Sequence, residues 1–135
     1  MSFTKLVVIV LLIVHGLLAV WALIGFTELF YSDVPWSRIS NPLFPGSILF
    51  LQWLLTLAAA GIFIFGYITK WRHTTVALLF AYTAMAALCA IETFGFLKHD
   101  SRFLDMIIEY ITYVVILIFL FRSNFFQKQY ALKVN

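Results

Sequence analysis

A chain of 135 residues has the length of one ordinary domain, yet 64% of its residues are hydrophobic, only 11% are charged and its mean hydropathy is +1.01. That balance excludes a water-soluble protein and leaves the membrane as the solvent. The net charge of +3 and the pI near 9.2 do not describe a nucleic-acid binder either, because the nine Lys and Arg stand scattered at the ends of apolar runs and form no basic stripe.

Residues 6–26 follow Lys5 as an unbroken apolar run, at about 20 residues long enough to cross ~30 Å of hydrocarbon. The run exceeds the apolar core of a secretory signal and no small-x-small cleavage pattern follows it, so it reads as a retained first transmembrane helix. His15 falls near its midplane, with Gly16, Ala19 and Ala22 nearby, an inward stripe of small residues that lets helices approach closely.

Residues 27–47 form the longest polar connection and carry Glu28, Asp33, Arg38 and the prolines Pro35, Pro42 and Pro45. Prolines at that density forbid a regular helix, and Phe30, Tyr31, Trp36 and Phe44 predict a loop lying on the interface as a lid over the bundle's mouth. The second span, 48–69, has Gln52 near its start and small residues at Thr56, Ala59, Ala60 and Gly61. Residues 70–74 make a tight basic turn, which forces the flanking helices to be antiparallel neighbours.

The third span, 75–97, repeats alanine at Ala77, Ala81 and Ala84, and Met85, Leu88 and Glu92 continue roughly the same face, which points Glu92 into the bundle. The fourth, 103–121, opens with Asp105 and Glu109, where the helix dipole favours negative charge. A basic aromatic tail, 122–135, follows and suits the headgroup region. Cys89, the only cysteine, lies inside an apolar run, excludes an intramolecular disulfide and reads as a small packing residue.

The sequence therefore predicts a single all-α membrane domain, residues 1–135, built as an antiparallel four-helix bundle. Lys5, Lys70, Arg72, Arg122, Lys128 and Lys133 fall on the side of the termini and only Arg38, Lys98 and Arg102 on the other, which places both termini on the cytoplasmic side. All six acids, Glu28, Asp33, Glu92, Asp100, Asp105 and Glu109, belong to the outer half. Acids contribute little to orientation, so topology alone does not explain their concentration.

Carboxyls within lipid are costly and mark a site or a buried ion partner. Glu92 precedes its helix end, and Glu109 and Gln52 follow the starts of theirs, by similar distances, so three helices are expected to set these groups in one layer below the outer surface. Glu28, Thr93, Tyr110 and Tyr113 would border it, and His15 is a helper at greater depth. Such an acidic pocket binds a cation, accepts protons or hydrogen-bonds the polar head of a lipid, quinone or sterol. The bland alternative makes Glu109 an interfacial helix-start acid and pairs Glu92 with Lys98 or Arg102. No metal-ligand spacing, nucleophile elbow, phosphate loop or dinucleotide fingerprint is present, so no metal is expected and no cofactor is named.

Residues 48–90, with the turn Phe65-Gly66-Tyr67-Ile68-Thr69-Lys70-Trp71, resemble the second and third helices of the DoxX-like family of small four-helix membrane proteins, and His15-Gly16 fits that family's glycine in the first helix. The resemblance implies a link to quinone-dependent respiratory complexes; Gln52 stands where such proteins often carry an acid. A second resemblance, to the EXPERA family of sterol isomerases and sterol-binding proteins, rests on Phe121-Arg122-Ser123-Asn124-Phe125-Phe126 and on Lys70-Trp71-Arg72-His73-Thr74. It implies a lipid-accessible cavity with Glu28 and Glu92 among its acids.

Two function classes follow. In the first, the protein binds a lipophilic molecule, lipid or quinone in type, or serves as an accessory subunit of a membrane complex. In the second it is a membrane enzyme, sterol-isomerase-like or quinone-linked, with Glu92 and Glu109 as acid and base. The expected partners are membrane lipids, a lipophilic ligand, and a membrane-complex partner or a second copy of the chain, with no nucleic acid. The expected location is a bacterial inner membrane or a eukaryotic organelle membrane.

Overall fold

Apolar runs of this length must satisfy every backbone N–H and C=O internally once water is excluded, and a helix does so within one segment. A computed structural model describes residues 1–31 and 44–135, and within them the chain is all-α. Helix α1 spans Phe3–Gly25, a 3-10 turn spans Phe26–Leu29, and α2 (Gly46–Thr69), α3 (Thr74–Gly95), α4 (Arg102–Ser123) and α5 (Phe125–Val134) follow. Four of these elements are long and apolar enough to cross a membrane. The helices begin and end within about three residues of the bounds predicted for the spans. Ser2 caps α1 by accepting the Lys5 N–H at 3.3 Å, which starts that helix three residues earlier than its apolar run.

Packing follows antiparallel neighbours in chain order. Gly25 lies on Trp53 while His15, ten residues earlier, stacks on Phe63, ten residues later. Across α3 and α4 the same opposition appears in Tyr82 with Tyr113, Tyr110 with Ala86 and Phe94 with Phe103. Helix α4 packs chiefly on α3 and leaves α1 and α4 only loosely joined, so of the α4 residues Leu120 alone is fully buried.

Two cores result. The larger joins Val8 and Leu11 of α1, Ala59 and Phe63 of α2, Leu78, Ala81 and Tyr82 of α3, Leu120 of α4 and Phe126 of α5. The smaller, at the opposite end, joins Ala22, Leu49 and Trp53. Most of the predicted small-residue faces are inward, with Ala22, Thr56, Ala59, Ala60 and Ala81 buried, but Gly61 is exposed because one further residue turns it about 100° away from Ala60.

The basic tail is a further helix with a buried anchor. Asn124 adopts the left-handed conformation (φ 48°), a turn that asparagine tolerates, and this redirects the chain into α5 so that Phe126 enters the larger core against Phe63. Lys133 then donates to the Thr69 carbonyl at 3.2 Å, tying α5 to the end of α2. The chain start, the α2–α3 turn and α5 thus share one end, called the terminal end below; the 3-10 turn and the α3–α4 turn form the far end. Asp33, Pro35, Trp36, Arg38 and Pro42 of the expected lid lie outside the described residues. Its flanks differ: Phe30 and Tyr31 are exposed, whereas the Phe44 ring meets Phe96 beyond α3 at 5.7 Å.

Candidate functional site in the far half of the bundle

The polar groups inside the spans sort into two linked clusters. The deeper one is built on His15, which is 1% exposed. Its Nδ1 lies 2.7 Å from the Leu11 carbonyl, which can only accept, so Nδ1 carries the proton. Neutral Nε2 is then an acceptor, and the Tyr82 hydroxyl 2.5 Å away donates to it. The imidazole also stacks on Phe63, so one histidine ties α1 to both α2 and α3.

Tyr82 leads into the second cluster. Its ring stacks on Tyr113 with centroids 4.8 Å apart, and the Tyr113 hydroxyl donates to Glu109 Oε1 one turn earlier on α4. The Cys89 thiol of α3 lies within electrostatic range of Glu109, and its sulfur lies 3.9 Å from the Thr93 hydroxyl. Tyr110 donates to the Ala86 carbonyl at 2.7 Å, which holds this part of α4 against α3.

Glu92 lies on α3 within electrostatic range of Glu109 and is 7% exposed. Its backbone carbonyl ends the helix by accepting Phe96 N–H at 2.9 Å and Leu97 N–H at 2.8 Å. Its side chain is less well served, because Oε1 is buried without a hydrogen-bond partner among the described residues. Neither cation offered as its partner reaches it: Arg102 donates to the His99 carbonyl and covers the Phe103 ring, and Lys98 is exposed. The Trp53 Nε1–H of the smaller core is the other buried polar side-chain atom without a partner among the described residues.

The structure brings together Glu92, Glu109, Tyr110 and Tyr113, along with Thr93. Gln52 lies half-buried on α2, where its carbonyl accepts the Thr56 hydroxyl at 2.8 Å, and among the described residues its side chain makes no hydrogen bond to either glutamate. Glu28 sits half-buried on the 3-10 turn after α1. His15 is about ten residues' rise, ~15 Å, from the level of Glu92, since its partner Tyr82 stands ten residues earlier on α3. His15 therefore reaches the acids only through Tyr82 and Tyr113.

Two participants escape the sequence reading. Cys89, half-buried beside Thr93, lies within electrostatic range of Glu109, and Tyr82 joins the two clusters. The signal for Tyr82 lay in its position four residues after Leu78 and three before Met85, on the face that carries Glu92.

Fold and site together define a class: a multi-pass membrane protein with buried acidic and phenolic groups at one end of its bundle. Compared with protein-family models, with curated proteins and with solved structures, the chain matches none.

Proposed function

We propose that the protein binds a lipophilic molecule whose polar head donates a hydrogen bond to Glu92, with Glu109 and the Tyr113 hydroxyl fixing the second side of the site. The observation that carries this reading is the buried Glu92 Oε1, an acceptor with no donor among the described residues. An unmet buried acceptor costs about 1–3 kcal/mol, which a bound hydroxyl or amine recovers. The surrounding apolar spans supply a matching environment for a tail, and quinol, sterol and hydroxylated lipid heads all carry the required donor. The DoxX-like and EXPERA resemblances favour the first two of these.

The test is native mass spectrometry with lipid identification on protein purified in mild detergent, comparing the wild type with Glu92→Gln and Glu109→Gln. One lipophilic species retained by the wild type and lost from Glu92→Gln supports the reading. Equal retention by all three proteins refutes it.

Chemistry on the bound molecule is a second reading, favoured by the unequal settings of the two acids. Glu109 is engaged by Tyr113 while Glu92 keeps an open oxygen, the kind of division that separates an acid from a base. Conversion of the retained molecule by the wild type, absent in both glutamine variants, distinguishes an enzyme from a binding protein.

A further inference from the structure

At the terminal end a cavity of about 450 Å³ opens between the start of α1, the end of α2 and α5. That volume is within the range of sites that take small molecules. Lys5 and Lys70 stand on its walls with Gln129, and Ile9, Ile68 and Phe125 give it an apolar lining. Ile9 follows Lys5 by one helical turn, so cation and apolar wall occupy one face of α1. Lys70, in the left-handed conformation (φ 55°) that ends α2, stands where the turn leaves the span.

Charge makes the cavity selective. Five of the six acidic side chains lie within the described residues, Glu28, Glu92, Asp100, Asp105 and Glu109, and every one is in the far half. Among the described residues Lys5 and Lys70 accordingly form no ion pair; the His99–Asp105 contact, at 3.1 Å, is at the opposite end. Two cations beside an apolar-lined opening at the end of a membrane span are thus left without an acidic side chain to pair with among the described residues.

We propose that this cavity binds an anionic phospholipid, its phosphate held between Lys5 and Lys70 with Gln129 as a further donor, and its upper acyl chain against Ile9, Ile68 and Phe125. Basic pockets between spans are recognised sites for acidic headgroups. A zwitterionic lipid fits less well, because its own ammonium repels the lysine pair. Free phosphate would leave the apolar lining uncovered, so the acyl chain is part of what is recognised. The site is separate from the Glu92 cluster and does not depend on its occupant.

Native mass spectrometry of the full chain in detergent tests this by titrating phosphatidylglycerol against phosphatidylcholine of the same acyl chains, for the wild type, Lys5→Gln/Lys70→Gln and Lys128→Gln. Lys128 is exposed on α5 outside the cavity and controls for general loss of positive charge. The wild type and Lys128→Gln should prefer phosphatidylglycerol, and the double variant should lose roughly thirtyfold in its retention, about fivefold per lysine. Circular dichroism confirms that the double variant is folded. Equal retention of the two lipids by the wild type, an unchanged preference in the double variant, or displacement of phosphatidylglycerol by millimolar inorganic phosphate alone would each overturn the proposal.

Discussion

The two ends of the bundle are built on opposite principles. At the terminal end the interior of the bundle is closed and its helix ends are tied: Phe126 closes the larger core, Thr74 donates to the Trp71 carbonyl at 2.6 Å, and Lys133 bonds α5 to α2. At the far end an acid and an indole N–H are buried without partners among the described residues, and the glutamates come within range of each other. The larger core closes the terminal end, and the buried side-chain atoms left unbonded among the described residues are both at the far end. An arrangement of this kind is expected when a site is retained at a cost to the fold.

The largest effect expected from breaking this contrast comes from the plug. Phe126→Ala removes a ring that is 1% exposed and should lower unfolding stability by about 3–5 kcal/mol, read by thermal or denaturant unfolding in detergent. Loss of α5 docking, seen as faster proteolysis after residue 124, should accompany it. A variant as stable as the wild type would mean that the larger core closes without α5.

Next come the glycines. A methyl at Gly66 would collide with the Thr74 side chain, and one at Gly25 with the Trp53 ring, so Gly66→Ala and Gly25→Ala should each cost about 1–3 kcal/mol. Gly16 and Gly61 have open space where a methyl would stand, and alanine there should be neutral or stabilising by up to about 1 kcal/mol. A reversal between the pairs would show that the close approaches at the two ends are not what holds the helices together.

These approaches also mark what could be read before the fold was known. The spans were legible because lipid leaves the backbone no alternative to helix, and the inward turn of Glu92 followed from Ala77, Ala81 and Ala84 on one face. The tail was not, because ten residues of mixed polarity after Asn124 give little sign that a single side chain, Phe126, will be buried. The nearness of Cys89 to Glu109 was not legible, because the two are twenty positions apart and only antiparallel packing brings them within range. The loose seam between α1 and α4 leaves no local pattern, since it depends on how all four helices settle.

Glu92→Leu sharpens the comparison from the other side. Replacing a carboxyl that lacks a partner by an apolar group of similar size should stabilise the ligand-free protein by about 1 kcal/mol while abolishing retention of the lipophilic molecule. A variant that is destabilised and still binds would place the need for Glu92 in the fold.

The smallest effect tests the link between the deeper cluster and the acids. Tyr82→Phe removes the hydroxyl that donates to His15 Nε2 but keeps the ring on Tyr113. Interhelical hydrogen bonds of this sort average about 0.6 kcal/mol in membrane proteins and reach about 1.7, because the membrane-inserted reference state also finds partners. Tyr82→Phe should fall within that range, and a double-mutant cycle with His15→Leu should recover most of it as coupling. Ligand retention is the more telling readout. If Tyr82 only staples α1 to α3, retention by Tyr82→Phe should match the wild type. A loss comparable to that of Glu109→Gln would instead extend the site along the stacked phenols to His15, because the ring that positions the Tyr113 hydroxyl against Glu109 is held in turn by Tyr82.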